Sequence, residues 1–275
     1  MKQMKHHIFY ISLILGLNFM TSCQNVQKKQ PEVSKEVKQE AKKKEDKHWS
    51  YQGETGPEHW AKIEKNTECG GKYQSPIDIV GAQSDSNLLP LDIHYSSKTK
   101  IHNVTNNGHS IQFNFDPGDY IVLNGEKYEL KQFHFHESAE HTIKGVRYPM
   151  VIHLVHVNKN GKYAVLAVMA EESRVNSESF DFLESYLPLS VKETKDIGKS
   201  FNMNSVLPEK KQYYTYEGSL TTPPCTEGVQ WFIFKNPVDV SLEMIKELQE
   251  VMPVNNYRDI QPLNGRVVKR SFFTD

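Results

Sequence analysis

Three cysteines in 275 residues are too few for a disulfide-dense small scaffold. No apolar run approaches the roughly twenty residues a membrane-spanning helix needs. The longest, Ile8 to Met20, is broken by Ser12, Gly16 and Asn18. No internal repeat is present, which excludes solenoids and propellers. No Gly- or Pro-rich linker interrupts the chain after Trp49, so that stretch reads as one domain. Net charge is also nearly missing: 33 Lys and Arg face 34 Asp and Glu, for a formal charge of −1.

That small total hides an asymmetry. Residues 1–47 carry ten Lys against five acidic residues, or +5; the remainder carries 23 basic and 29 acidic residues, or −6. A body this acidic does not suit nucleic acid. The head combines Lys2 and Lys5, the short apolar run, and Thr21-Ser22-Cys23. That order predicts a secretory signal. The cysteine after small residues resembles a bacterial lipobox, with Met20 where Leu is usual. This implies a signal over 1–22, lipidation at Cys23 and a membrane-anchored location in the periplasm or at the cell surface. Plain signal cleavage beside a stray cysteine is the alternative. Residues 23–47 are rich in Lys, Glu and Gln and hold no aromatic residue, the composition of a solvated tether. Export leaves Cys69 and Cys225 as an even pair in an oxidising compartment, where a disulfide is expected. Two buried thiols are the alternative.

The body, 48–275, reads as α+β with strands dominant. Ile111, Phe113 and Phe115 alternate with polar residues, the pattern of a half-buried strand. Asn124-Gly125 and Asn160-Gly161 each sit between apolar runs, predicting two hairpins. Ser241 precedes a helical pattern over Leu242–Val251, with Glu243 in its first turn and Pro253 after its end. A shorter helix is expected near Phe180–Leu187.

Twelve histidines are present, and five fall between His134 and His156. His134 and His136 are two apart between phenylalanines, so on a strand both imidazoles face one side. His153 lies in the apolar stretch Val151–Val157. If the two strands are neighbours, three neutral nitrogens converge and leave one position open, which describes a catalytic zinc site.

Several motifs stand in order: GPEHW (56–60), QSPIDI (74–79), NNGH (106–109), QFHFHESAEHT (132–142), HLVH (153–156), SLTTPP (219–224) and NNYR…QPL (255–263). Together they resemble the alpha-class carbonic anhydrases, with the short middle loop of bacterial members, across the whole body. The resemblance implies a central twisted, largely antiparallel sheet with short peripheral helices. It implies Zn2+ on His134, His136 and His153, and reversible hydration of carbon dioxide to bicarbonate and a proton by zinc-bound hydroxide. His109 matches the proton shuttle. Thr221 matches the gatekeeper that donates to Glu140, and Thr222 its neighbour toward bicarbonate. Val155, Val165, Leu220, Val229 and Trp231 match the apolar wall that holds carbon dioxide. Asn107 and Gln112 match the polar wall, and Trp49 and Tyr51 the aromatic mouth. Gln132 matches the acceptor behind His134. Cys69 and Cys225 fall where exported members place a disulfide. Sulfonamide and anion inhibitors are implied, and the oligomeric state is left open.

The chain departs from the pattern at Val151, where the family carries a glutamate that accepts from the third ligand. His141, whose counterpart meets that glutamate, belongs to the same network. Weaker zinc binding with activity retained is expected. Glu137, one position out of phase with His136, should point away from the metal. A catalytically weak or silent surface-binding relative is the alternative class, and Val151 is the feature that favours it. Silent relatives usually lose a ligand histidine, whereas this chain keeps all three. An esterase-like hydrolase on the same site is a third reading.

Overall fold

A computed structural model describes residues 48–174 and 178–273. The expected signal, the tether and Cys23 lie outside the described residues. Among those described, no helix is long and apolar enough to cross a membrane.

A large twisted sheet dominates. Its main path runs Thr194–Asp196, Thr99–Asn106, Ile111–Phe115, Glu126–His136, Met150–Asn158, Tyr163–Ser173, Glu227–Phe234, Tyr213–Ser219, Lys269–Ser271 and Gln83–Asp85. Pairing is antiparallel except where Tyr163–Ser173 meets Glu227–Phe234 and Val238–Ser241, and where Lys269–Ser271 meets Gln83–Asp85. The mixed α+β class is as the alternation implied. Both Asn-Gly hairpins form: Asn124 (φ 51°) and Gly125 (φ 78°) take the left-handed conformations such a turn needs. Gly161 (φ 77°) serves the turn into Tyr163–Ser173. Helix Leu242–Val251 starts where expected, with the Ser241 hydroxyl accepting from the Met244 N–H. The shorter helix spans Glu178–Glu184.

The sheet separates two apolar layers. One packs Phe113, Phe133, Phe135, Ile152, Leu154 and Leu166 against helix Leu242–Val251; the other holds Val151, Val155, Val165, Val229 and Trp231. The strand Glu126–His136 changes which residues face which layer. Tyr128 and Leu130 belong to the first layer, and so do Phe133 and Phe135. The parity switches at an irregularity in the pairing, where Leu130 opposes His156 but Gln132 already opposes Val155. Lys131 is the extra residue of a β-bulge. After it, Gln132, His134 and His136 stand on the opposite face from the phenylalanines.

A candidate metal centre and its cleft

The two ligand strands bring the three expected histidines together. His134 opposes His153 directly in antiparallel register, and His136 opposes Val151. One ligand nitrogen from each of His134, His136 and His153 lies within 4.8 Å of the others. His136 and His153 are buried and His134 is half-buried. Burial, then the neighbouring imidazoles, push His134 and His153 well below the ordinary histidine range. The rings therefore stay neutral, as metal ligation requires.

Hydrogen bonds fix which nitrogen each ring offers. His134 Nδ1 meets Gln132 Oε1 at 2.9 Å, and His136 Nδ1 meets the backbone carbonyl of Asn256. Both rings are left with Nε2 for a metal. His153 is turned the other way. Its Nδ1 lies 3.8 Å from Glu140 Oε2, the oxygen that is 3.5 Å from His136 Nε2. Its Nε2 is buried with no hydrogen-bond partner among the described residues. Val151, fully buried opposite His136, offers none. His141 shares the defect: Nε2 meets Tyr216 Oη at 2.6 Å, while Nδ1 is buried with no hydrogen-bond partner among the described residues. Burial first, then His136, Arg266 and Arg147, push His141 down to about 3.

Glu140 is fully buried. Its Oε1 accepts from the Arg258 N–H at 3.0 Å, and its Oε2 has no hydrogen-bond partner among the described residues. The expected Thr221 to Glu140 hydrogen bond is therefore not formed in this conformation, although Thr221 borders the same cleft. The cleft is a cavity of about 210 Å³ where Val155, Val165, Leu220 and Trp231 face His134, His153, Thr221 and Thr222. Tyr163, which the sequence reading passed over, lines it too. Val229 belongs to the same apolar cluster but does not border the cavity. A larger hollow of about 750 Å³ lies elsewhere, beside Leu89, Tyr213 and Val267, and holds no histidine.

His109 follows a turn in which the Asn107 side chain accepts from the His109 and Ser110 N–H groups. Gly108, at φ 86°, supplies the left-handed residue. The His109 ring stacks on Trp49 at 3.6 Å and lies 6.2 Å from the Tyr51 ring. Asn107 donates to Gln112 at 3.4 Å, and Gln112 pairs in register with His134. Glu137 points to helix Leu242–Val251, accepting from Gln249 at 2.8 Å.

Two buried residues with no role in the sequence reading organise the site. The Asn256 amide donates to the carbonyls of His109 and Phe135, at 3.0 and 3.2 Å. The Arg258 guanidinium donates to Gln74 Oε1 and to the carbonyls of Ser75 and Cys69. Both fall in the NNYR motif, the available signal for them. Cys69 and Cys225 form a disulfide with Cα atoms 4.8 Å apart. It anchors the turn in which the Cys225 N–H donates to the Thr222 carbonyl at 2.8 Å.

With this geometry, the family model for eukaryotic-type carbonic anhydrase matches residues 55–272. The chain belongs to that family. A carbonic anhydrase of Klebsiella pneumoniae is 41% identical over 225 residues, covering 80% of this chain and 90% of the relative. One from Pectobacterium carotovorum is 38% identical over 226 residues, with the same coverage. Among solved structures, the alpha-carbonic anhydrase of Thermovibrio ammonificans, in complex with the inhibitor sulfanilamide, superposes with a TM-score of 0.76. It is 40% identical, covering 81% of this chain and 98% of that one. A hyperthermostable carbonic anhydrase from a hydrothermal vent chimney gives 0.77 at 41% identity, covering 82% and 100%.

Proposed function

We propose that the protein catalyses the zinc-dependent, reversible hydration of carbon dioxide to bicarbonate. The observation that carries the reading is the convergence of three imidazoles beside an apolar cavity, in a chain of this family. The donor set suits zinc: three imidazole nitrogens, with His136 Nε2 buried and without a hydrogen-bond partner among the described residues. His134, His136 and His153 would hold it. When bound, zinc supplies a nucleophilic hydroxide near neutral pH, as is established for carbonic anhydrases.

The remaining chemistry belongs to side chains. Val155, Val165, Leu220 and Trp231 offer a nonpolar gas an apolar seat next to the triad. Val229 packs in the same apolar cluster as that wall. The Thr221 hydroxyl, at the cavity edge, orients the attacking oxygen, and Glu140 is the buried acceptor available to it once the metal site is filled. Thr222 meets the product. His109 carries the released proton toward solvent. Sulfonamides and small anions should inhibit by competing at the same place.

We further infer export, lipidation at Cys23 and attachment to a bacterial membrane. The signal-like head and the oxidised Cys69–Cys225 pair support this reading. Stopped-flow hydration of carbon dioxide, run with metal analysis, tests the function. One zinc per chain and sulfonamide-sensitive hydration are expected. A zinc-loaded protein without hydration activity would overturn the reading in favour of a silent binding relative. Mass spectrometry of the mature N-terminus tests the anchor, and an unmodified terminus beyond Cys23 rejects it.

A further inference from the structure

His109 has a second imidazole against it. Its Nε2 lies 3.1 Å from Nε2 of His48, with ring centroids 5.2 Å apart. Two ring nitrogens at that distance must share one proton, since two lone pairs or two N–H groups would repel. The arrangement is held in place. The His109 ring lies flat on Trp49, the residue after His48, with 12° between planes. The Trp49 N–H donates to Glu64 Oε1 at 3.0 Å. The same carboxylate oxygen lies 3.9 Å from His48 Nδ1. Trp49, Tyr51 and His48 thus surround His109, and Glu64 backs His48.

The two rings differ in access. His109 is half-buried, while the His48 side chain is 73% exposed and meets solvent bases directly. Burial, then His48, push His109 down to about 4. An imidazole that weakly basic does not retain a proton released near neutral pH. It needs an acceptor already in contact.

We propose that His48 is a second proton carrier, taking protons from His109 and delivering them to buffer bases. This rests on the shuttle reading of His109. A proton arriving at His109 Nδ1 is matched by loss of the Nε2 proton to His48 Nε2. His48 then releases its Nδ1 proton to a solvent base. Each ring gains one N–H and loses one, so no charge accumulates. Exchange with water restores the starting tautomers.

The test uses the zinc-loaded full chain in stopped-flow hydration at low and high buffer. His109→Ala should lower kcat by about tenfold or more in weak buffer. His48→Ala should lower it by about threefold, with KM falling in step so that kcat/KM is retained; added imidazole should restore kcat. His48→Gln keeps a hydrogen-bonding arm toward His109 but carries no proton, and should behave like His48→Ala. Wild-type kcat in weak buffer for His48→Ala overturns the proposal, and wild-type kcat for His48→Gln reduces His48 to a support for His109. An unaffected His109→Ala defeats the shuttle reading itself. An independent readout is imidazole NMR. His48→Ala should change the His109 titration curve. An unchanged His109 curve overturns the proposal.

Discussion

The backbone carbonyl of Asn256 accepts from His136 Nδ1, so a loop remote in sequence sets the ring that faces the metal position. The Asn256 side chain adds two donations, to the His109 and Phe135 carbonyls, and accepts from the Glu137 N–H at 2.8 Å. Asn256→Ala removes these three side-chain bonds, and a 3.6 Å contact to Met252 Sδ, inside a fully buried site. It should cost about 3 kcal/mol of stability, because the partners are left unsatisfied. It should also weaken zinc retention. Urea unfolding and chelator challenge check both, and an unchanged midpoint would refute the account.

Val151 leaves His153 Nε2 without an acceptor. Partners of this kind are worth about 10–100-fold in metal affinity or activity, a range established on carbonic anhydrases. Val151→Glu should therefore slow zinc release to a chelator by about tenfold or more. Unchanged release would mean that an internal water already serves the ring.

Acid should destabilise the metal-free fold from the imidazoles outward. His156 is a core histidine on the face away from the metal site, bonded to Tyr95 Oη at 2.7 Å and pushed down to about 4 by burial. His141 is pushed down to about 3. Both bind protons more readily unfolded, near 6.5, than folded. Stability is full above about pH 6.5 and falls between there and pH 4, by about 1.4 kcal/mol per pH unit per ring. His156→Gln should remove one ring's share of that slope. Denaturant midpoints across this range measure it, and an unaltered slope contradicts the assignment.

The disulfide closes a separation of 156 residues. Cys69→Ser with Cys225→Ser should lower stability by up to about 5 kcal/mol. It should also lower kcat, since the bridge holds the turn that carries Thr221 and Thr222. Unfolding curves and hydration rates check the two effects separately.

The ligand triad was legible because residues two apart on a strand share a face, and because the motifs came in a family order. The hairpins and the capped helix were legible from Asn-Gly pairs and from Ser241. The organising roles of Asn256 and Arg258 were not. Their partners lie more than a hundred positions away, and no local period marks a loop that folds back under a site. The His48–His109 contact escaped for the same reason. Val229 was placed on the cavity wall by likeness; it packs in the same apolar cluster as Trp231 and Val165 but does not border the cavity.

Lys131 carries no chemistry, yet the direction of the histidines depends on its standing out of the alternation. Were the strand to alternate without a bulge from Tyr128 and Leu130, positions 132, 134 and 136 would face the phenylalanine layer. Gln132, His134 and His136 would be entombed, and Phe133 and Phe135 would line the cleft. The bulge thus absorbs one added residue and keeps the histidines in phase with the cleft. Deleting Lys131 should remove the bulge and leave the histidines on the cleft face, because Leu130 and Gln132 would then alternate as ordinary neighbours.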